Sequence, residues 1–188
     1  MRIVVDIDDV LNELCKCWVA TLNEKYNCFV RHEDITDWNI KRFFPELTEQ
    51  EVHDVLLDEQ FWKTVTPKQD AMKYMMKLYQ DKHDIYICTA THYNNIKVKF
   101  ENIIQRYYPF ITWDKVIIAH NKQMIRCDVM VDDAVHNLIG GEYHKILMSA
   151  PHNLNCNVEQ YGIHRANNWH EVYKMIKEIQ NEEALQQM

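Results

Sequence analysis

Short β-branched or apolar runs recur along the chain at 3–5, 85–88, 116–119 and 129–131, with Lys145–Met148 as a fifth candidate. A strand with one face in water alternates apolar and polar positions. An unbroken short run instead fits a strand covered on both faces, as in a parallel sheet. Between the runs the spacing becomes helical. Ala71, Tyr74, Met75 and Leu78 share one face of a helix predicted over 70–80, and Val172, Ile176 and Ile179 one face of a helix over 169–183. A third helix is predicted over 94–107. Strands alternating with helices predict an α/β fold built on a parallel sheet.

The alternation lapses between residues 15 and 66, where helical patterns at 15–26 and 48–57 and many aromatics replace any buried strand. So long a stretch does not suit a loop in a compact domain. It is predicted to be a small helical cap inserted after the first strand, with 1–14 and 67–188 forming the core and 15–66 the cap.

The length of 188 residues accommodates one domain with such an insertion, and 47% hydrophobic with 26% charged residues is ordinary for a globular chain. Three glycines and four prolines leave no linker or low-complexity segment. A formal net charge of −7 without a Lys/Arg cluster makes a nucleic-acid polymer an unsuitable partner, while leaving a small anionic substrate open. The six cysteines form no CxxC pair. With no export signal and no apolar stretch of membrane-spanning length, they lead us to expect a cytoplasmic protein with no membrane partner.

The polar residues that change this picture stand at the ends of the apolar runs. Asp6-Ile7-Asp8-Asp9-Val10 follows the first, Thr89 ends the second, Lys122 comes shortly after the third, and Asp132-Asp133 ends the fourth. In open α/β sheets the carboxyl ends of the strands form the binding crevice. Converging carboxylates there suit a hard cation such as Mg²⁺, a lysine and a hydroxyl suit a phosphate, and one carboxylate can attack while another moves a proton. Taken singly, each residue has a plainer role: Asp8, Asp9 or Asp132-Asp133 as helix caps, Thr89 as a strand-end residue, Lys122 as a solvated loop residue. Their order along the chain, each after an apolar strand, is what favours chemistry.

These motifs resemble the four motifs of the haloacid dehalogenase-like superfamily, and the stretches Ile87-Cys88-Thr89, His120-Asn121-Lys122, Val131-Asp132-Asp133, Ala150-Pro151-His152-Asn153 and Asn168-Trp169 resemble its 5′(3′)-deoxyribonucleotidases. The resemblance implies a Rossmann-like three-layer α/β/α sandwich with a parallel sheet and a helical cap. It implies a Mg²⁺-dependent phosphatase acting on a small phosphomonoester, a nucleoside monophosphate, and leaves a homodimer open. Asp6 is then the nucleophile and Asp8 the general acid and base. Asp6, the Asp8 carbonyl and Asp132 hold the metal, and Asp133 acts through a water on it or from behind these ligands. Thr89, Ala90 and Lys122 bind phosphate. Two departures stand out: Asp9 occupies a position that is often glycine, and Ala90 one that usually carries a hydroxyl in the deoxyribonucleotidases. Among the cap aromatics, Trp38, Phe43, Phe44, Phe61 and Trp62 are candidates for stacking on a base, against the commoner role of packing a small helical unit. Other readings are a phosphatase for a different phosphoester, a receiver-like phospho-acceptor and an idle binding protein of the same fold. A receiver places its phospho-acceptor between the acid pair and the threonine, whereas here Lys122 precedes a second acid pair.

Overall fold

In a computed structural model of the chain, which describes residues 1–186, six strands form one sheet in the order β3-β2-β1-β4-β5-β6. The strands are β1 (Arg2–Val5), β2 (Asp84–Thr89), β3 (Val116–Ile118), β4 (Val129–Asp132), β5 (His144–Met148) and β6 (Ile163–Ala166). All five pairings are parallel. The five predicted runs are all strands of this sheet. The sixth strand is an addition at the edge.

Successive side chains on each strand enter opposite layers. Ile3 and Val5, Val129 and Val131, and Ile146 and Met148 join one apolar cluster, while Val4, Met130 and Leu147 join the other. Helices α4 (Ala71–Gln80), α5 (Ile96–Lys99) and α7 (Trp169–Gln186) follow strands β1, β2 and β6 in the chain. Their residues Met75, Leu78, Val172 and Ile176, with Ile103 and Ile104 just past α5, belong to the first cluster. The opposite layer is thin: among the described residues, α6 (Val135–Leu138) contributes Leu138, and loop residues such as Tyr143 and Val158 complete it.

The predicted helix over 94–107 is subdivided. A 3₁₀ turn at Tyr93–Asn95 leads into α5, which passes directly into a π-helical stretch at Phe100–Gln105. The insertion contains α1 (Leu14–Tyr26), α2 (Glu49–Asp54) and α3 (Glu59–Thr64), linked by 3₁₀ turns. Thr48 starts α2 with a capping box: its hydroxyl accepts from the Glu51 N–H, and the Glu51 carboxylate accepts from the Thr48 N–H. The insertion leaves and rejoins the core side by side. Glu13 N donates to Thr66 O and Lys68 N to Leu11 O, both at 2.9 Å, around an antiparallel bridge between Asn12 and Pro67. Cap residues Ile35, Ile40, Phe44, Val52 and Val55 share one continuous apolar cluster with the sheet. Among the described residues no helix is long and apolar enough to cross a membrane.

Candidate active site

From β1 the chain proceeds to β2 and β3 on one side, then returns to place β4, β5 and β6 on the other. This reversal lies between β1 and β4, so a crevice opens at their carboxyl ends. The strand-end residues meet there. Asp6 extends the β1–β4 pairing through its N–H, which donates to Val131 O at 2.9 Å. Lys122, fully buried in a 3₁₀ turn, sets its Nζ 2.8 Å from Asp6 Oδ1 and 2.6 Å from Asp132 Oδ2. Carboxylate oxygens of Asp6, Asp132 and Asp133 all lie within 4.8 Å of one another.

Asp132 and Asp133 differ in what they are bonded to. Asp132 accepts from Lys122 Nζ, Ala134 N and both its oxygens take the Asn137 side-chain amide. Both Asp133 oxygens are buried without a hydrogen-bond partner. His152 Nε2 lies 3.0 Å from Asp133 Oδ2, but without the alignment of a hydrogen bond. The Thr89 hydroxyl is likewise buried and unpartnered. Buried polar atoms are nearly always satisfied. Orphans at Asp133, within the acid cluster, and at Thr89, at the carboxyl end of β2 beside β1, are therefore candidate positions for a cation and a phosphate.

The electrostatics agree. Burial pushes the Asp6 carboxyl up to about 8, opposed by Lys122 and reinforced by Asp132, Asp8 and Asp133. Burial, then Asp132, raises Asp133 well above the usual carboxylate range. Burial alone would lower Lys122, but Asp6 and Asp132 outweigh it and hold the ammonium firmly protonated. Among the described residues, the four carboxylates of Asp6, Asp8, Asp132 and Asp133 have two lysines, Lys122 and Lys99, as ion-pair partners besides His152 at Asp133, an imbalance that a divalent cation would relieve.

The turn after β1 is braced from several directions. Asp9 adopts a left-handed conformation, φ 52°. It meets the steric cost by bonding on all sides: its N–H donates to Asn12 Oδ1, its carboxylate accepts from Cys15 N at the start of α1, and its carbonyl accepts from Lys68 Nζ. The helix it serves begins at Leu14, one residue before the predicted pattern. The buried Asn12 also donates to Asp8 Oδ1. Tyr108 Oη donates to Leu11 O and Trp169 Nε1 to Val10 O. Asn153 donates to Asp133 O and Met148 O, fixing the second acid pair to the end of β5, and is itself held by Arg165 of β6.

Beside the acids lies a cavity of about 550 Å³ between core and cap. Asp8, Asp9, Ala90, Thr91, Asn95, Lys99 and His152 line it from the core, and Trp18, Trp38, Ile40, His53, Leu56 and Trp62 from the insertion. Of the five aromatic candidates, Trp38 and Trp62 reach it. Phe43, Phe44 and Phe61 pack into the apolar cluster instead. Trp38 is 58% exposed and stands edge-on to His136 and His152 of the core. Trp18 and Lys99 were not singled out from the sequence. A larger concavity of about 1000 Å³ lies by Arg2, Asp84, Arg126 and Asp128, at the amino ends of the strands, where Asp84 pairs with Lys115 and Asp128 with the Arg2 N–H. It shares no residue with the acid cluster.

Residues 1–182 match the family described as 5′ nucleotidase, deoxy (pyrimidine), cytosolic type C protein, NT5C. The chain belongs to this family. It is accordingly a phosphoric monoester hydrolase. A 5′(3′)-deoxyribonucleotidase from Bacillus subtilis is 32% identical over 176 residues, 93% of this chain and 97% of the relative. One from Clostridium acetobutylicum is 28% identical over 180 residues, 94% and 95% of the two chains. Among solved structures, a HAD family hydrolase from Deinococcus radiodurans, with bound phosphate and sodium, superposes with a TM-score of 0.63 at 12% identity, covering 95% of each chain. At that identity the likeness speaks for the fold.

Proposed function

We propose that the protein hydrolyses deoxyribonucleoside monophosphates through a phosphorylated Asp6, with Mg²⁺ as cofactor. The observation that carries this reading is the unpartnered Asp133 carboxylate clustered with Asp6 and Asp132 around Lys122, with a second unpartnered group, the Thr89 hydroxyl, at the end of the adjacent strand β2, next to a cavity walled by tryptophans. Asp6, the Asp8 carbonyl and a carboxylate of the Asp132-Asp133 pair would hold the cation. The hydrogen bonds favour Asp133 for that place, with Asp132 retained by Lys122 and Asn137, the reverse of the division expected from the resemblance. A bound Mg²⁺ supplies charge neutralisation at the phosphate.

The residues perform the rest. Thr89 donates to a phosphate oxygen, and Lys122 offsets its charge. An Asp6 oxygen attacks phosphorus as the bond to the nucleoside oxygen breaks, and Asp8 gives that oxygen its proton. Asp8 then takes a proton from a water, whose oxygen attacks the phosphorus. Inorganic phosphate leaves and Asp6 is restored. Ala90 has no hydroxyl to offer, so only its backbone N–H can serve the phosphate. Trp38, exposed at the cavity, is the platform proposed for the base.

Comparison of kcat/KM across deoxy- and ribonucleoside monophosphates, sugar phosphates and phosphoglycolate tests the substrate. Deoxypyrimidine monophosphates are expected to lead. Stacking contributes about 1–3 kcal/mol per base, so Trp38→Ala should lower nucleotide kcat/KM by about one to two decades while sparing sugar phosphates. Equal efficiency on nucleotides and sugar phosphates would sink the nucleotide assignment. Asp6→Asn, nearly isosteric but without an attacking carboxylate, should abolish turnover with the fold intact; turnover near wild type would remove Asp6 from the mechanism.

A further inference from the structure

Lys99 ties the insertion to the catalytic turn. It is the last residue of α5, and its side chain is 4% exposed. Its ammonium forms an ion pair with Asp8 Oδ2 and also lies 5.3 Å from the centroid of the Trp62 ring. Trp62 belongs to α3 of the insertion, is 1% exposed, and is fixed by its own Nε1 donating to Leu56 O at 2.8 Å. The other Asp8 oxygen has a single weaker partner, Asn12 Nδ2 at 3.3 Å. Lys99 therefore supplies the closer hold on the Asp8 carboxylate. Burying a lysine is costly without compensation, and a helix end offers open solvent to most lysines. Here the π-helical stretch begins at the next residue, and the winding keeps Ile103, Ile104 and Tyr108 in the apolar cluster while Lys99 lines the cavity.

We propose that Lys99 is a positioning residue for Asp8, and that through Trp62 it makes the placement of Asp8 depend on the seating of the cap. The inference rests on Asp8 acting as proton donor and acceptor in the reaction proposed above. Lys99 acts through Asp8, with no proton passed by the lysine itself. Its ammonium selects the Asp8 rotamer, and the Trp62 face selects the position of the ammonium, so a displaced cap loosens the proton-transfer group as well as the cavity wall.

The test compares wild type, Lys99→Met, Lys99→Arg, Trp62→Leu, Trp62→Phe and the Lys99→Met/Trp62→Leu double variant. Substrates are dUMP, whose departing oxygen must be protonated, and p-nitrophenyl phosphate, whose phenolate departs without a proton. A positioned proton donor is worth about 10²–10⁴-fold, so Lys99→Met should lower kcat on dUMP by about 10–100-fold with KM changed less than about threefold. The pre-steady-state release of nitrophenol should fall much less. Lys99→Arg should recover a large part of the loss. Trp62→Leu should lower kcat on dUMP by itself and add little to Lys99→Met, the signature of residues acting in series. If Lys99→Met folds poorly by thermal melting, the Trp62 pair reads the same coupling, with Trp62→Phe retaining more kcat than Trp62→Leu. Unchanged kcat in Lys99→Met, a pre-steady-state nitrophenol release slowed as much as kcat on dUMP, or additive effects of the two changes would overturn the inference. A wild-type protein inactive on both substrates would overturn the phosphatase reading itself, and this inference with it.

Discussion

Asp9 combines a left-handed backbone, a buried carboxylate and the N–H of Cys15 as its main partner. Burial, then Asp133, lifts its carboxyl from 3.8 to about 7, against the pull of Lys68. The sign of the linkage follows. Below pH 4 the folded and unfolded states both hold the proton. As pH rises from about 4 to about 7, the folded state keeps a proton that the unfolded chain has lost, so stability falls, and above about 7 the loss is complete. Asp9→Asn retains an oxygen for Cys15 and tolerates the left-handed turn, but does not titrate. In chelator, its Tm should match wild type near pH 4 and exceed it at pH 8, by an amount reflecting on the order of a few kcal/mol. Parallel pH profiles for the two proteins would show that Asp9 is not responsible. At this scale the sequence showed Asp6, Thr89, Lys122 and Asp132 at or just past the ends of apolar runs, and the parallel sheet brings those strand ends to one edge, where Lys122 meets Asp6 and Asp132. Lys99 was not legible, because on a helix bearing Lys97 and Lys99 nothing local distinguishes the buried lysine from its exposed neighbour. Nor could residue order reveal that Asn137 would engage Asp132 and leave Asp133 open, since this depends on the path of a short helix.

The turn between β1 and α1 owes its shape to elements far along the chain. Tyr108, just after the π-helical stretch, and Trp169, at the start of α7, each donate one hydrogen bond to its carbonyls. Tyr108→Phe keeps the ring but strands the Leu11 carbonyl in a buried setting, which should cost about 1–3 kcal/mol in denaturant unfolding and reduce kcat as the turn loosens. A variant with unchanged stability and unchanged kcat would show that the turn holds itself. The central strands were readable because burial on both faces forces unbroken apolar runs. β6 escaped notice since an edge strand carries polar residues, here the exposed His164 and the partly buried Arg165. The π winding has no signature in periodicity, which registers a continuous helix whether four or five residues close each turn.

For the whole molecule, the acid cluster predicts that folding and cation binding are linked. Mg²⁺ at about 100 times its Kd should add about 2.7 kcal/mol of stability, a Tm rise of about 5–10 °C for a chain of this size. Asp133→Asn should lose most of that rise. An undiminished rise in Asp133→Asn would remove Asp133 from the cation site. The helical stretch between β1 and β2 was legible as a break in strand–helix alternation, whereas its union with the sheet in one apolar cluster was not, because contacts across so many residues leave no local pattern. The strand order carries a further consequence, for the ribosome rather than for the substrate. β1 lies in the middle of the sheet, and its neighbours begin at Asp84 and Val129. During synthesis at roughly 5–20 residues per second, an apolar segment that will become a central strand waits about 4–16 s for its first partner and longer for its second. Sheet assembly is thus postponed until most of the chain exists, and that interval is when the nascent protein is most exposed to aggregation and most in need of a chaperone's cover.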